Sequence, residues 1–305
     1  MAIETVVELE GVNGEWFTLA GPDAGDKGVY LGTSLDGIYD PPVRTVWEEP
    51  ANLPGARYLA HKIMRRDIVF GVEILNDPEP GRTWLDRDSA WRKAWSFERD
   101  CKLWVTTDSG RRYLSIRLGE SPLVDMSTDP TLNPVNLTLM TVIAGDPFWY
   151  GEESVYEWVL DRDLTTTPLI KDGDINPAAV THGFDIAELN PTDQPVWPMW
   201  LVSAPSRVVL PDFSWHNDDL AARRIVMPSL VEGEDIEVDV DPRSPQIVSW
   251  SGSQVWARMA GVRFRHPIPP YTRNAQLPVT IAQAPVGAKI QLRLKRPWSR
   301  PWGLW

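Results

Sequence analysis

The chain has 305 residues, of which 43% are apolar, and its 42 acidic and 30 basic side chains give a formal net charge of -12. This length exceeds what one hydrophobic core usually supports, so we expect two domains. The acidic balance argues against a general nucleic-acid-binding surface, because non-specific affinity for phosphates comes from clustered lysine and arginine. The single cysteine, Cys101, excludes an intramolecular disulfide framework, and the four histidines show no metal-ligand spacing.

The composition predicts a mainly β protein. The 28 prolines and 21 glycines favour many short strands with frequent turns over long helices.

At the N-terminus, Glu4, Glu8 and Glu10 stand where a secretory signal needs positive charge, and no run approaches the ~18 apolar residues of a membrane span. We therefore expect synthesis in the cytosol without export by these routes.

In chain order, the first half is predicted to contain strands separated by turns. The Gly-, Pro- and Asp-rich stretch 21–54 is expected to be a long loop with at most short strands. Runs of alternating or β-branched residues predict the strands, two of which form a hairpin that turns at Asp108-Ser109-Gly110. The strands are expected at residues 3–9, 16–20, 64–75, 102–107, 111–120 and 137–143.

One helix is predicted, in the stretch RTWLDRDSAWRKAWSF (82–97). Trp84, Trp91 and Trp95 are seven and four residues apart, so one helical face carries all three. Charged residues occupy the remaining positions, which favours a helix packed on the sheet by its tryptophan face.

From residue 161 the pattern changes, because 161–177 is polar and rich in turn residues. We place the domain boundary there, with an N-terminal domain at 1–160 and a C-terminal domain at 161–305 that ends in an extended tail, 295–305. Eight short runs without a helical pattern between them predict a β-sandwich. They are PVWPMWLVS, SRVVLPDF, RRIVMPSL, EDIEVDV, QIVSWSG, QVWARMAG, LPVTIAQ and AKIQLRL.

The sequence has no residue pattern typical of a catalytic or cofactor site. It contains no nucleophile elbow, no glycine-rich dinucleotide or phosphate loop and no zinc-protease motif. In the acidic run from Glu232 to Asp241, the apolar residues Ile236, Val238 and Val240 alternate with the carboxylates, so a solvent-facing strand is a better interpretation than a calcium site. We therefore predict no enzyme activity, no cofactor and no metal.

Five tryptophans of the second half leave two interpretations open. Aromatic faces stack on sugar rings, which would make a saccharide platform, whereas tryptophans in apolar strand runs commonly belong to a core. Three of the five stand in such runs, which favours the core. The five are Trp197, Trp200, Trp215, Trp250 and Trp256.

The stretch KRPWSRPWGLW, residues 295–305, predicts a segment that docks on another surface. Its two prolines disfavour helix and inner-strand pairing, so we expect an extended segment anchored by Trp298, Trp302 and Trp305. Arg296 and Arg300 are expected to meet acidic groups on that surface. The surface is either the first domain of the same chain or a neighbouring protein; the alternative is that the tryptophans cap their own sandwich.

Six stretches that span nearly the whole chain carry a family resemblance. They are GVYLGTSLDGIYDPPV (28–43), RRDIVFGVEIL (65–75), DSAWRKAW (88–95), AGDPFWY (144–150), NPTDQPVWPMW (190–200) and RPWSRPWG (296–303). Together they resemble the distal tail proteins, a family of minor tail proteins in long-tailed phages that infect actinobacteria. DPFWY and the tryptophan-proline ending are the most specific in combination, whereas Thr192-Asp193 departs from the Gly-Asp pair expected at that turn.

The resemblance implies a structural virion protein at the tail tip, synthesised in the host cytoplasm and without an enzymatic role. The N-terminal domain would be β-barrel-like with one helix and would form a hexameric ring, and the C-terminal domain would be a galectin-like β-sandwich. The ring would connect the tail tube to the tail hub, the baseplate and other minor tail proteins. DNA would pass through it without stable binding, since a neutral to acidic channel does not retain a polyanion.

Two expectations concern contacts. Subunits of a ring can pair the edge strands of neighbouring copies, and we name the hairpin 102–118 and the strand 64–75 as candidates. The alternative function is a glycan-binding module in the C-terminal sandwich that recognises the host surface.

Overall fold

The computed structural model describes residues 5–52 and 54–304, and it is mainly β, with one α-helix among these residues. The described residues form two units. The first comprises the residues up to Gly151 together with Trp298–Leu304, and the second comprises Glu152–Pro297. In chain order, the second unit is therefore inserted into the first.

The elements have the following bounds. The strands are β1 Val6–Glu10, β2 Trp16–Ala20, β3 Val29–Asp36, β4 Val43–Glu48, β5 Arg57–Ile63, β6 Arg66–Leu75, β7 Cys101–Thr107, β8 Gly110–Leu118, β9 Leu123–Val124, β10 Val135–Ala144, β11 Trp149–Tyr150, β12 Ser154–Val159, β13 Ile170–Lys171, β14 Asp174–Ile175, β15 Val180–Ile186, β16 Pro198–Val202, β17 Arg207–Pro211, β18 Arg224–Val226, β19 Ile236–Asp239, β20 Ile247–Ser249, β21 Ala275–Ala282, β22 Lys289–Leu294 and β23 Pro297–Trp298. The α-helix is α1 Trp84–Lys93, and 3-10 helices span Pro130–Leu132 and Val255–Met259.

The first unit is built on a ten-stranded sheet with the strand order β2-β1-β7-β8-β10-β6-β3. Strand β9 pairs with β10, and β11 pairs with both β8 and β23. The end strands β2 and β3 contact each other, so the sheet is nearly closed into a barrel. Ile68, Phe70, Val72 and Ile74 alternate along β6 and are at most 1% exposed, which is the period-two burial expected of a strand that covers a core.

Helix α1 covers this core with its tryptophans. Thr83 caps the N-terminus, where Asp86 completes a capping box, so two of the unpaired N–H groups of the first turn are satisfied. Trp91 is fully buried. Its ring packs edge to face against Phe17, with the ring centres 5.2 Å apart, and against Trp95, with the ring centres 5.3 Å apart. The predicted helix and the predicted fold class are confirmed.

Two expectations for the first half are wrong. The stretch 21–54 contains the strands β3 and β4, because glycines 25 and 28 take positive φ angles that turn the chain into β3, which then pairs with β6. The strands named for pairing between copies are internal: β6 lies between β10 and β3, and the hairpin β7-β8 lies between β1 and the pair β10 and β11. Strands β6 and β7 have a paired strand on each side, and β8 pairs on its outer side at Tyr113, Arg117 and Leu118, so none of the three is a free edge.

The second unit contains two large antiparallel sheets, with the strand orders β12-β22-β16-β19-β20 and β15-β21-β17-β18, and the two-stranded sheet β13-β14. Most apolar residues of the two large sheets form one buried cluster, to which Trp200, Phe184 and Ile290 contribute. Strand β12 belongs to this unit because it pairs with β22 along its whole length, whereas the sequence places the boundary after it, at 160.

The run QVWARMAG is a 3-10 helix and not the predicted strand. Val255 and Met259, four residues apart, both turn into the core, so the burial pattern is helical although the composition is β-like. None of the helices in the described residues is both long and apolar enough to cross a membrane.

Candidate functional site

The C-terminal segment, defined here as Trp298–Leu304, packs on the core of the first unit. Trp298 is 8% exposed and belongs to that core, and Trp302 and Leu304 pack against it. Strand β23 places Trp298 there by pairing with β11. Two buried arginines then hold the backbone of the segment.

Arg66, the first residue of β6, is fully buried, and each of its hydrogen-bond acceptors is a backbone carbonyl. Its Nε donates to the carbonyl of Pro147 at 2.6 Å, and one terminal nitrogen donates to three consecutive carbonyls, residues 37 to 39, at 3.0 to 3.2 Å. The other terminal nitrogen donates to the carbonyl of Ser299 in the C-terminal segment. Burial lowers the pKa of Arg66 to about 10, with the charge of Asp40 opposing the shift, so the guanidinium remains charged at neutral pH.

Arg112, on β8, holds the same segment at two further points. Its terminal nitrogens donate to the carbonyls of Arg300 at 2.8 Å and of Gly303 at 2.9 Å. The guanidinium carbon also lies 3.9 Å from the ring centre of Trp298, a cation-π contact that is strong when desolvated, and Arg112 is only 7% exposed. The planar guanidinium thus binds backbone and indole together, which a lysine could not do.

The side chains of the segment contact the residues that precede β4. Nε of Arg300 donates to Asp40 at 2.5 Å, and the guanidinium lies 4.8 Å from the ring centre of Tyr39. The rings of Tyr39 and Trp302 are 5.3 Å apart. The segment therefore contacts one short stretch of chain through an ion pair and through aromatic packing.

The structure brings together three of the five residues predicted to dock, namely Trp298, Arg300 and Trp302. Arg296 is elsewhere: it belongs to the second unit, where it binds Ser154 and backbone carbonyls. Trp305 lies outside the described residues. The surface that Trp298 and Trp302 meet is the first unit of their own chain.

Sequence reasoning missed four residues of this site, Tyr39, Asp40, Arg66 and Arg112. One signal was available, because four of the six stretches that carry the family resemblance, 28–43, 65–75, 144–150 and 296–303, contribute atoms to the site. Stretches far apart in sequence that carry one resemblance are candidates for one site in space.

Strands β4 and β5 form a second feature, an exposed arm of which residues 43–52 and 54–63 are described. They pair with each other and with no other strand of the described chain. Every side chain of β4 is exposed, as are all those of β5 except Ile63. A two-stranded hairpin that packs on nothing is marginally stable in water, so the arm is expected to need a partner surface.

The two faces of the arm differ. One carries an aromatic row in which the rings of Trp47 and Tyr58 are 5.4 Å apart, and Tyr58 shares a 2.6 Å hydrogen bond with His61. Trp47 is 51% and Tyr58 48% exposed. The opposite face carries the cross-strand pairs Arg44 with Lys62 and Glu48 with Arg57. The arm holds three basic and two acidic side chains, in a chain whose net charge is -12.

The second unit has exposed aromatic residues of its own. Trp200 is fully buried, and Trp197 and Trp215 pack against the core, so the core interpretation holds for these three. Trp250 and Trp256 are 65% and 61% exposed and line separate grooves. Among the described residues, no group of three histidine, cysteine or acidic side chains could hold a metal ion.

The fold of the whole chain has counterparts among phage tail proteins. The crystal structure of SPP1 Dit (gp 19.1), described as a paradigm of the hub adsorption apparatus in phages infecting Gram-positive bacteria, superposes with a TM-score of 0.58 at 10% identity, over 96% of this chain and 98% of that one. A chain of the phage P2 baseplate in its activated conformation with calcium gives a TM-score of 0.51 at 10% identity over the same shares. The fold is thus that of a Dit-type phage tail protein. No family model matches the sequence.

Relatives in sequence identify the family within this class of phage tail proteins. The minor tail proteins Gp27 of Mycobacterium phages D29 and L5 are each 46% identical to this chain over an alignment of 338 positions, with both chains covered completely. The chain belongs to this minor tail protein family, and it is a structural component of the phage tail.

Proposed function

We propose that the chain forms a hexameric ring at the distal end of the tail and that the ring connects the tail tube to the tail hub, the baseplate and other minor tail proteins. The observation that carries this proposal is the Dit-type fold, which spans 96% of the chain. The protein is synthesised in the host cytoplasm, acts without catalysis, and lets DNA pass through the ring without stable binding. A neutral to acidic channel wall agrees with the net charge of -12.

The arm supplies a contact between neighbouring copies. A closed ring uses heterologous contacts, in which one face of a subunit meets a different face of the next. The aromatic row around Trp47 and Tyr58 would be buried on the neighbouring copy, and the basic residues of the arm would meet its acidic surface.

Light scattering of the full chain across a concentration series tests the ring. We expect a species near six times 34.4 kDa, and a monomer at every concentration contradicts self-assembly. The double variant Trp47→Ala/Tyr58→Ala is expected to remain monomeric with an unchanged circular dichroism spectrum. The matched control is Trp256→Ala, which removes a similarly exposed indole from the second unit and is expected to leave the mass unchanged.

One observation favours a second candidate function, glycan binding by the second unit. Trp250 borders a groove of about 230 Å³ that Glu157, Ser203, Lys289 and Gln291 also line. The carboxylate of Glu157 already accepts from Lys289 and Gln291, both at 3.3 Å, which orders polar groups beside an exposed indole. Such a set suits a sugar ring, whose apolar face stacks while its hydroxyls hydrogen-bond.

A glycan array probed with the full chain tests this candidate. Binding of the full chain to particular glycans that is lost in Trp250→Ala, but kept in Trp256→Ala, would support the groove as the sugar site. Binding that survives Trp250→Ala would place the sugar elsewhere, and an empty array would remove the candidate.

A further inference from the structure

The C-terminal segment and the exposed arm meet at one short stretch, the root, defined as Gly37–Pro42. The root leads directly into β4. Within the first unit, the C-terminal segment contacts the root through Arg300 and Trp302, and both share Arg66 as a hydrogen-bond donor. We infer that the C-terminal segment is a strap that fixes the root and thereby sets the direction of the arm.

Arg66 is the joint between the strap and the root. One terminal nitrogen of its guanidinium donates to the root carbonyls of Gly37, Ile38 and Tyr39, while the other donates to the carbonyl of Ser299 in the strap. The guanidinium is planar and rigid, so the position of one set of acceptors constrains the other. Without the strap, the second nitrogen would be buried without its acceptor, and the group would reorient or admit water.

The root itself packs too closely on β6 to shift by small steps. Gly37 has a φ of 79°, and a Cβ placed there would lie 2.3 Å from the carbonyl oxygen of Asp67. At the other end of the root, the carbonyl of Pro42 accepts from the N–H of Met64 at 2.8 Å, which ties together the two ends of the arm. Pro41 and Pro42 also fix φ at two successive positions. The root therefore transmits its orientation to both arm strands as a unit.

The side-chain contacts lock the strap from outside. Arg300 reaches Asp40 at 2.5 Å and covers the ring of Tyr39, which in turn packs on Trp302. On its other side, Arg112 binds the carbonyls of residues 300 and 303 and anchors the strap on β8. Contacts on both sides make the strap a connection between the sheet and the root, and not a loose covering of the core.

The consequence for assembly rests on the proposed function, in which the arm contacts the next copy. A ring closes only if each contact repeats the same rotation, so an arm that points in several directions forms fewer productive contacts. A docked strap lowers the entropy that the arm would otherwise lose on association. Loosening the strap is therefore expected to weaken assembly although it removes no contact of the arm.

Hydrogen exchange of the full chain, read by mass spectrometry at low concentration, tests the strap without requiring assembly. The double variant Arg300→Ala/Trp302→Ala is expected to raise exchange of the backbone amides of residues 37–40 and of β4 by tenfold or more, with exchange in β7 and β8 unchanged. Arg263→Ala/Trp256→Ala, an arginine and a tryptophan of the second unit, is the matched control and is expected to leave these amides unchanged. Unchanged exchange at 37–40 in the strap variant would overturn the inference.

A charge swap separates the specific contact from general loosening. Arg300→Asp places two carboxylates together and is expected to speed exchange at the root, whereas Asp40→Arg/Arg300→Asp restores the pair and is expected to return exchange toward the wild-type rate. Failure of the swap to restore slow exchange would count against the ion pair as part of the strap.

The mass of each variant then tests the link to assembly. If the wild type assembles, the strap variant is expected to need at least tenfold more protein for the same assembled fraction, and equal assembly despite a freely exchanging root would overturn the link. If the wild type stays monomeric, the proposed function fails. The hydrogen-exchange data alone then show whether the strap fixes the root.

Discussion

Replacement of Arg66 is expected to lower the stability of the protein strongly. It is fully buried and donates to five backbone carbonyls, those of Gly37, Ile38, Tyr39, Pro147 and Ser299. Hydrogen bonds to a charged group contribute about 1.5–3 kcal/mol each, but water entering the hole left by Arg66→Ala would satisfy some of the carbonyls again. We expect the free energy of unfolding to fall by about 3–5 kcal/mol, which corresponds to the net loss of about two such hydrogen bonds.

Urea unfolding followed by circular dichroism measures this loss, and the neighbouring arginine supplies the control. Arg65 pairs with Asp67 at 3.3 Å, but both side chains are 60% exposed, so Arg65→Ala is expected to cost less than about 1 kcal/mol. Arg66→Lys keeps the charge and loses the planar fork, so it should fall between the two. A loss below about 1 kcal/mol for Arg66→Ala, or equal losses at positions 65 and 66, would refute the assignment of Arg66 as the joint of the site.

Three further predictions concern single sites. Thr83→Ala removes the cap of α1 and its hydrogen bonds with Asp86, so thermal unfolding should show a loss of about 1 kcal/mol; no change would mean that the cap is not needed. Gly37→Ala forces a side chain at a φ of 79° and against a backbone carbonyl, so the same measurement should show a larger loss, and wild-type stability would contradict the tight packing of the root. The third prediction is a pH dependence: the 2.6 Å bond from Arg258 lowers the pKa of Glu234 from 4.5 to about 2, so the folded state binds fewer protons than the unfolded state between these values. The contribution of Glu234 is then present above pH 4.5 and lost as the pH falls toward 2, and Arg258→Ala should flatten the acid limb of a stability profile; an unchanged limb would exclude the pair as its cause.

The elements that sequence reasoning predicted correctly are those that bury one face. The alternation of Ile68, Phe70, Val72 and Ile74 and the spacing of the helix tryptophans report contact with a core, so periodicity finds them. Strand β4 buries no face in this chain, and its residues therefore carried no signal against the proline- and glycine-rich background. The 3-10 helix at Val255–Met259 was mistaken for a strand because its composition is β-like and its five residues are too few to show a helical period.

The site was harder to predict than the fold, for a physical reason. The acceptors of Arg66 and Arg112 are backbone carbonyls, which every residue has, so no residue type marks them. One of them lies 233 residues from its donor. The anchoring role of Trp298 and Trp302 was predictable because aromatic residues between prolines are unusual, but the surface that they meet depends on the tertiary fold.

The return of residues 298–304 to the first unit affects the order of events during translation. The ribosome makes all of residues 152–297 after most of the first barrel and before the residues that complete it. A nascent chain would expose the core residues that Trp298 covers and would leave Arg66 without its acceptor at Ser299 until that synthesis is finished. The first unit is therefore completed only after the second unit has been made, and a prematurely terminated chain would lack the residues that contact the root.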